Sequence, residues 1–134
     1  MLGARRAFIR ERKQMYLMLS KQMSEKYQHV VFENLKLDNM SKGKVAGGQR
    51  VKVAPSEFKN AFSYRYKKES IIEIDAKNTS KTCNDCGSLE DLDSSVTEHT
   101  CSKCTVKFDR DINAAKNILK RGLIEINKLG LANA

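Results

Sequence analysis

Tryptophan is absent from this 134-residue chain, proline occurs once, and aromatic residues make up only 7%. A core must therefore be built largely from aliphatic side chains, and a chain of this size buries a modest one that a metal staple would strengthen. No apolar run approaches the roughly 20 residues needed to span a bilayer, which removes a membrane partner. Met1–Lys13 is too basic and too interrupted for the apolar core of a signal peptide, so the expected compartment is the cytoplasm. Acids are scarce in the first half. Residues 1–68 hold 16 Lys or Arg against 5 Asp or Glu, a balance of +11, whereas residues 69–134 hold 9 against 11, a balance of −2, and the two sum to the net +9. Such asymmetry points to a polyanion-binding segment, with a merely solvated basic surface as the bland alternative.

Apolar periodicity predicts a helix from about Ala4 to Tyr27, with Phe8, Met15, Leu19, Met23 and Tyr27 as its buried face and Arg5, Arg12, Lys13, Lys21 and Lys26 opposite. His29–Leu37, with Val30-Val31-Phe32 in succession, reads as a strand covered on both faces in a mixed sheet. From Lys36 to Val53 the chain is polar and basic, a loop in which Lys42, Lys44 and Arg50 would follow a phosphate backbone. A second helix is expected over about Ser56–Lys68 with Ser56 as its cap, and a second strand ends near Asp75. The last helix should begin near Asp109 or Asp111, bury Ile112, Ala115, Leu119 and Ile126, and end or bend at Gly122. A short amphipathic tail would follow. The fold class is α/β.

Cys83 and Cys86 form one C-x-x-C and Cys101 and Cys104 a second, with 14 residues between the pairs. Two residues between thiolates let both sulfurs face one ion, and two such knuckles make the closed S4 site that structural zinc prefers. Gly87, just past the first knuckle, suits the positive φ of such a turn. Two disulfides fit a cytoplasmic chain poorly, and a redox pair has no need of a second copy. Spacing alone does not separate zinc from an iron–sulfur cluster. His99 lies close to Cys101 but is not needed, because four sulfurs complete the site.

Two acids stand where elements would present them. Glu33 follows the apolar triplet of the first strand, and Asp111 opens Asp111-Ile112-Asn113-Ala114-Ala115 at the start of the last helix. Carboxylates converging from separate elements are what a two-magnesium phosphodiester nuclease uses, although acids at strand ends and helix starts are often simple caps.

The order of these pieces resembles the TnpB family of transposon-encoded proteins, related to the type V CRISPR effectors. Val30-Val31-Phe32-Glu33-Asn34-Leu35 is similar to that family's nuclease motif II, and Lys77-Asn78-Thr79-Ser80-Lys81-Thr82-Cys83 to the start of its zinc ribbon. Asp109-Arg110-Asp111-Ile112-Asn113-Ala114-Ala115-Lys116-Asn117-Ile118-Leu119 is similar to its motif III. The likeness runs over roughly residues 10–123, and a ribbon followed at once by that last motif is its most specific part. It implies a partial RuvC (RNase H-like) domain over residues 1–76, an inserted four-cysteine zinc ribbon over 77–108, and a motif III helix with a tail over 109–134. It further implies an RNA-guided DNA endonuclease with DNA and guide RNA as partners, Glu33 and Asp111 as two of three catalytic magnesium ligands, and Arg110 near the cut strand. Asp109 would be a neighbouring, non-catalytic acid. The family's first catalytic Asp precedes the long helix, and no Asp occurs here before Asp38. A partner protein carrying that acid is therefore expected, with a non-catalytic nucleic-acid-binding accessory or a truncated remnant as the alternatives.

Overall fold

The computed structural model describes residues 2–34, 55–93 and 95–131, which form a mixed α/β structure. The elements run α1 (Leu2–Ser24), β1 (Val30–Asn34), α2 (Pro55–Ser63), β2 (Ile71–Asp75), β3 (Glu98–Thr100), β4 (Lys107–Asp109) and α3 (Arg110–Lys128). Contacts divide the chain into one unit of Met1–Val30 with Lys36–Ile71 and another of Val31–Leu35 with Ile72–Ala134. The expected basic loop, with Lys42, Lys44 and Arg50, lies outside the described residues. Among those described, no helix is long and apolar enough to cross a membrane.

In the first unit α1 packs on α2. Pro55 opens α2, where its fixed φ suits the first helical position and its missing N–H leaves nothing unsatisfied. The helix thus begins one residue before the expected cap Ser56, and it stops at Ser63 rather than Lys68. Tyr16 meets Phe58 edge-on at 5.0 Å between ring centres, Phe58 meets Phe62 at 5.1 Å, and Phe62 stacks on Tyr66 at 6.0 Å. Each such contact contributes about 0.5–1.5 kcal/mol beyond its burial. The buried side of α1 is accordingly Arg12, Tyr16 and Ser20, at four-residue spacing. The stripe expected from sequence is not the packed one: Phe8 is 48% and Met15 52% exposed, and Leu19 and Tyr27 are exposed too. A polar contact lies on the same face as the rings: Arg12 donates from Nε and Nη2 to Glu57 Oε2 at 2.9 and 2.7 Å.

In the second unit β1 and β2 lie side by side in a two-stranded sheet, and β3 and β4 form an antiparallel pair in which His99 faces Phe108. Ile72 and Ile74 from β2 and Ile126 from α3 make the core, with Val31, Ile118 and Leu131 packed against it. Asp109 caps α3, its Oδ1 accepting from the N–H groups of Asp111 and Ile112 at 2.9 Å each. The neighbouring acid of the sequence reading thus has a structural task.

Two expectations about α3 are corrected. Ile112 and Leu119 are 60% and 54% exposed, and the buried positions are Asn113, Asn117, Gly122 and Ile126. The helix also runs straight through Gly122 to Lys128. The reason for the glycine is proximity. A Cβ there would meet Val31 of β1, falling 2.6 Å from Cγ1 and 2.9 Å from Cβ. Gly122→Ala should therefore lower unfolding free energy by about 1–3 kcal/mol through overpacking, even though alanine is the better helix former. Urea denaturation measures this; a variant as stable as the parent would mean α3 does not sit that close to β1.

Candidate metal centre and its surroundings

The two C-x-x-C segments fold into matching turns. After Cys83 the chain returns with Gly87 N–H donating to Cys83 O at 2.9 Å, and Cys83 N–H donating to Ser88 O at 2.9 Å. After Cys101 the pattern repeats, with Thr105 N–H to Cys101 O at 3.0 Å and Cys101 N–H to Val106 O at 2.9 Å. Both turns need a left-handed residue just past the second cysteine. Gly87 takes it at φ 75°, as its position in the sequence suggests, whereas Thr105 adopts φ 61° against the preference of a β-branched residue.

These turns bring four sulfurs together. Cys83 Sγ lies 3.7 Å from Cys104 Sγ, Cys86 Sγ lies 3.6 Å from Cys101 Sγ, and all four fall within 4.8 Å of one another. A tetrahedral S4 site with bonds of about 2.3 Å needs sulfurs about 3.8 Å apart, so the residues fit zinc closely. Among the described residues this is the only group of three or more His, Cys, Asp or Glu side chains placed to share an ion.

The thiols are unequal. The Ser88 hydroxyl and N–H hydrogen-bond Cys86 and lower its pKa to about 6. Burial raises Cys83 despite support from the N–H groups of Cys86 and Asp85. The Val106 N–H favours the Cys104 thiolate, but burial and the other three cysteines outweigh it and push the thiol up to about 12. A divalent cation held by all four cysteines would pair with each as its thiolate, releasing protons as it binds.

The first turn is fastened to α3 by side-chain amides that the sequence reading did not single out. Asn113 Nδ2 donates to Thr82 O at 2.8 Å, and Asn117 Nδ2 donates to Thr79 O at 2.9 Å and Thr82 O at 2.6 Å. In return Asn84, next to Cys83, donates its N–H to Asn113 Oδ1 at 2.9 Å and its Nδ2 to Asn117 Oδ1 at 3.1 Å. Their signal was the one-turn spacing of two asparagines on a helix otherwise read for its apolar residues. Arg121 adds bonds of 2.8 Å to the carbonyls of Asp75 and Lys77.

The expected acids sit in the same unit. Glu33 is half-buried on β1, and its Oε2 accepts from Thr79 Oγ1 at 3.1 Å. Asp111 is exposed in the first turn of α3. Helical spacing puts Asp111 on the α3 face of Gly122, which meets Val31, and strand alternation puts Glu33 on the β1 face of Val31. No third acid joins them as a described cluster. Of the basic residues expected at nucleic acid, Arg5 is exposed on α1, while Arg110 is half-buried and its N–H bonds Thr97 O at 2.8 Å. The Arg12 guanidinium is buried against Glu57.

Known proteins match this arrangement. The profile of the Cas12f1-like TNB domain matches residues 56–118. Cas12m of Thermanaerosceptrum fracticalcis, described as a CRISPR-associated DNA-binding protein, is 33% identical over 124 residues, covering 83% of this chain and 21% of its own. The Cas12f1 chain of a cryo-EM structure with sgRNA and target DNA superposes with a TM-score of 0.60 at 26% identity, over 81% of this chain and 33% of that one. The chain thus spans about a fifth of the curated relative and a third of the solved one.

Protein purified without added metal should carry about one zinc per chain, and Cys101→Ser should lose it. Zinc affinity should also weaken as the pH falls, since the raised Cys83 and Cys104 thiols must each give up a proton, and should weaken more steeply below about 6, where Cys86 is protonated as well. Elemental analysis across a pH series checks both; disulfide-bonded, zinc-free protein or an iron–sulfur chromophore would sink the assignment.

Proposed function

Because the chain is a relative of the TnpB proteins and the type V CRISPR effectors, we propose that it is the nucleic-acid-binding C-terminal part of a TnpB-like RNA-guided DNA endonuclease. In this reading residues 1–76 and 109–134 belong to a partial RuvC-like segment, and residues 77–108 are its inserted zinc ribbon. Glu33 and Asp111 would hold magnesium, which when bound supplies water activation and stabilisation of the leaving oxygen. The chain's own side chains prepare the place. Thr79 Oγ1 restrains the Glu33 carboxylate, and Asp109 fixes the first turn of α3, from which Asp111 projects. The third carboxylate comes from elsewhere, from a partner protein or from further sequence, and Arg5, Arg110 and the Lys42, Lys44 and Arg50 segment track nucleic-acid backbone. The single observation that carries the reading is the hydrogen-bonded run from Asn84, beside the metal centre, through Asn117 and Thr79 to Glu33.

A second reading is DNA binding without cleavage. It is favoured by the description of the Cas12m relative as a DNA-binding protein, and by the absence of a third acid beside Glu33 and Asp111 among the described residues.

Binding to DNA or RNA should be salt-sensitive and weakly sequence-selective, since phosphate neutralisation releases counterions. Replacing Arg5, Lys42, Lys44 and Arg50 together should abolish most of it, and affinity that stays flat between low and physiological salt would count heavily against a phosphate-tracking surface. For catalysis, the chain alone should show little magnesium-dependent cleavage. Supplying in trans a TnpB-like segment with its strand-borne Asp and guide RNA should produce cutting that Asp111→Ala abolishes and Asp109→Asn, which keeps the cap, largely spares. No cutting under those conditions, with guide-dependent DNA binding retained, favours the second reading.

A further inference from the structure

We propose that Glu90 is a positioning residue of the metal centre, tying the two cysteine turns together and fixing where the Cys101 sulfur stands. The proposal rests on the four cysteines being a metal site and is independent of whether the chain cuts DNA.

Glu90 belongs to the first turn by its backbone. Its N–H donates to Lys81 O at 2.9 Å, and the residue before it, Leu89, bridges back to Thr82. Its side chain reaches the second turn and is only 4% exposed. Oε1 accepts from Ser88 Oγ at 2.8 Å and Ser102 Oγ at 3.2 Å, and it lies 3.2 Å from Cys101 Sγ. Oε2 accepts from Ser102 N–H at 3.1 Å and pairs with His99 Nε2 at 3.0 Å. One carboxylate therefore joins a residue beside Cys86, a residue of β3, and two residues of the Cys101 turn.

A buried carboxylate is costly unless its lone pairs are satisfied, and here the donors are supplied from two stretches of chain, Ser88 on one side and His99 and Ser102 on the other. Its charge does not explain its presence. Beside a site that must gather thiolates, another anion is electrostatically unfavourable, and the Cys101 contact stops being a hydrogen bond once that thiol gives up its proton. The bonds to Ser102 and His99 need no thiol proton and persist in the loaded site, whereas the single Ser88 hydroxyl proton goes either to Glu90 or to Cys86. What Glu90 contributes is then geometry. It holds the second turn at the distance from the first at which the Cys86 and Cys101 sulfurs stand 3.6 Å apart. His99 is the other half of the brace, its ring resting edge-on against Phe108 at 5.6 Å.

Cobalt(II) titration of the full chain, followed by displacement with zinc, reads both affinity and coordination geometry. Glu90→Ala should weaken metal affinity about 10- to 100-fold and should alter the cobalt d–d bands of the tetrathiolate. His99→Phe, which keeps the ring against Phe108 and removes the Nε2 contact, should act in the same direction but more weakly. In the Glu90→Ala background it should cost nothing further, because both changes remove the same brace. Wild-type affinity and spectrum in Glu90→Ala overturn the proposal, as do fully additive losses in the double variant. Should Glu90→Ala fail to fold, an unchanged spectrum and affinity in His99→Phe overturn it equally. Failure of the wild-type chain to bind either ion would overturn the metal centre itself and the brace with it, whereas absent DNA cleavage would leave both standing.

Discussion

Two side-chain amides one helical turn apart carry much of the organisation of the second unit. Asn113 and Asn117 are almost fully buried, yet neither packs as a hydrophobe would. Each spends its amide on the polypeptide leading into the first cysteine turn, accepting from Asn84 and donating to the carbonyls of Thr79 and Thr82. The groups that the helix serves are the carbonyls of Thr79 and Thr82, and leaving such groups buried and unmatched would cost about 1–3 kcal/mol apiece. The helix supplies what a sheet would have supplied. The loop that carries the first two cysteines is thereby tied to the helix it lies on, and the same bonds place Thr79 where its hydroxyl meets Glu33.

Around this fixed lead-in, the metal centre is a repeated structure with unequal halves. Both turns use the same pair of backbone hydrogen bonds and the same left-handed residue. The first half satisfies that conformation with glycine, while the second imposes it on a threonine, so part of the cost of closing the site resides in the second half. The second half is also the one braced by Ser102 and His99 through Glu90. Strain and brace fall on the same turn, which is consistent with a centre whose first half is built into the fold and whose second half is drawn to it.

How much of this was legible in the sequence depended on the kind of force involved. The cysteine spacing, the glycine of the first turn and the second strand were readable, because each is a local requirement written in one or two residue types. The packed face of α1 was not. Periodicity favoured Phe8, Met15 and Leu19, but the partner helix offered Glu57 and a row of rings, and a half-buried ion pair across 45 positions leaves no periodic trace. α3 misled for a related reason. Its buried residues include two asparagines and a glycine, types that hydropathy reads as exposed or helix-ending, and their burial is decided by carbonyls and a valine elsewhere in the chain. Glu90 carried no signal at all, since a lone acid in a loop looks the same whether solvated or surrounded.

The close approach of Gly122 to Val31 has a mechanical meaning. With no side chain between them, helix and strand touch almost backbone to side chain, and such a contact has little compressible material in it. It acts as a fulcrum. Asp111 lies eleven residues away, about 16 Å along the axis at the usual helical rise, so a tilt of about 5° about that point would carry its Cα about 1.4 Å. Asn113 and Asn117 grip the lever between fulcrum and tip, the first near the tip and the second about midway. The amplitude of motion at the acidic end of α3 is thus governed by how firmly the cysteine-bearing loop is itself held, and loosening that loop would be felt as play in the helix.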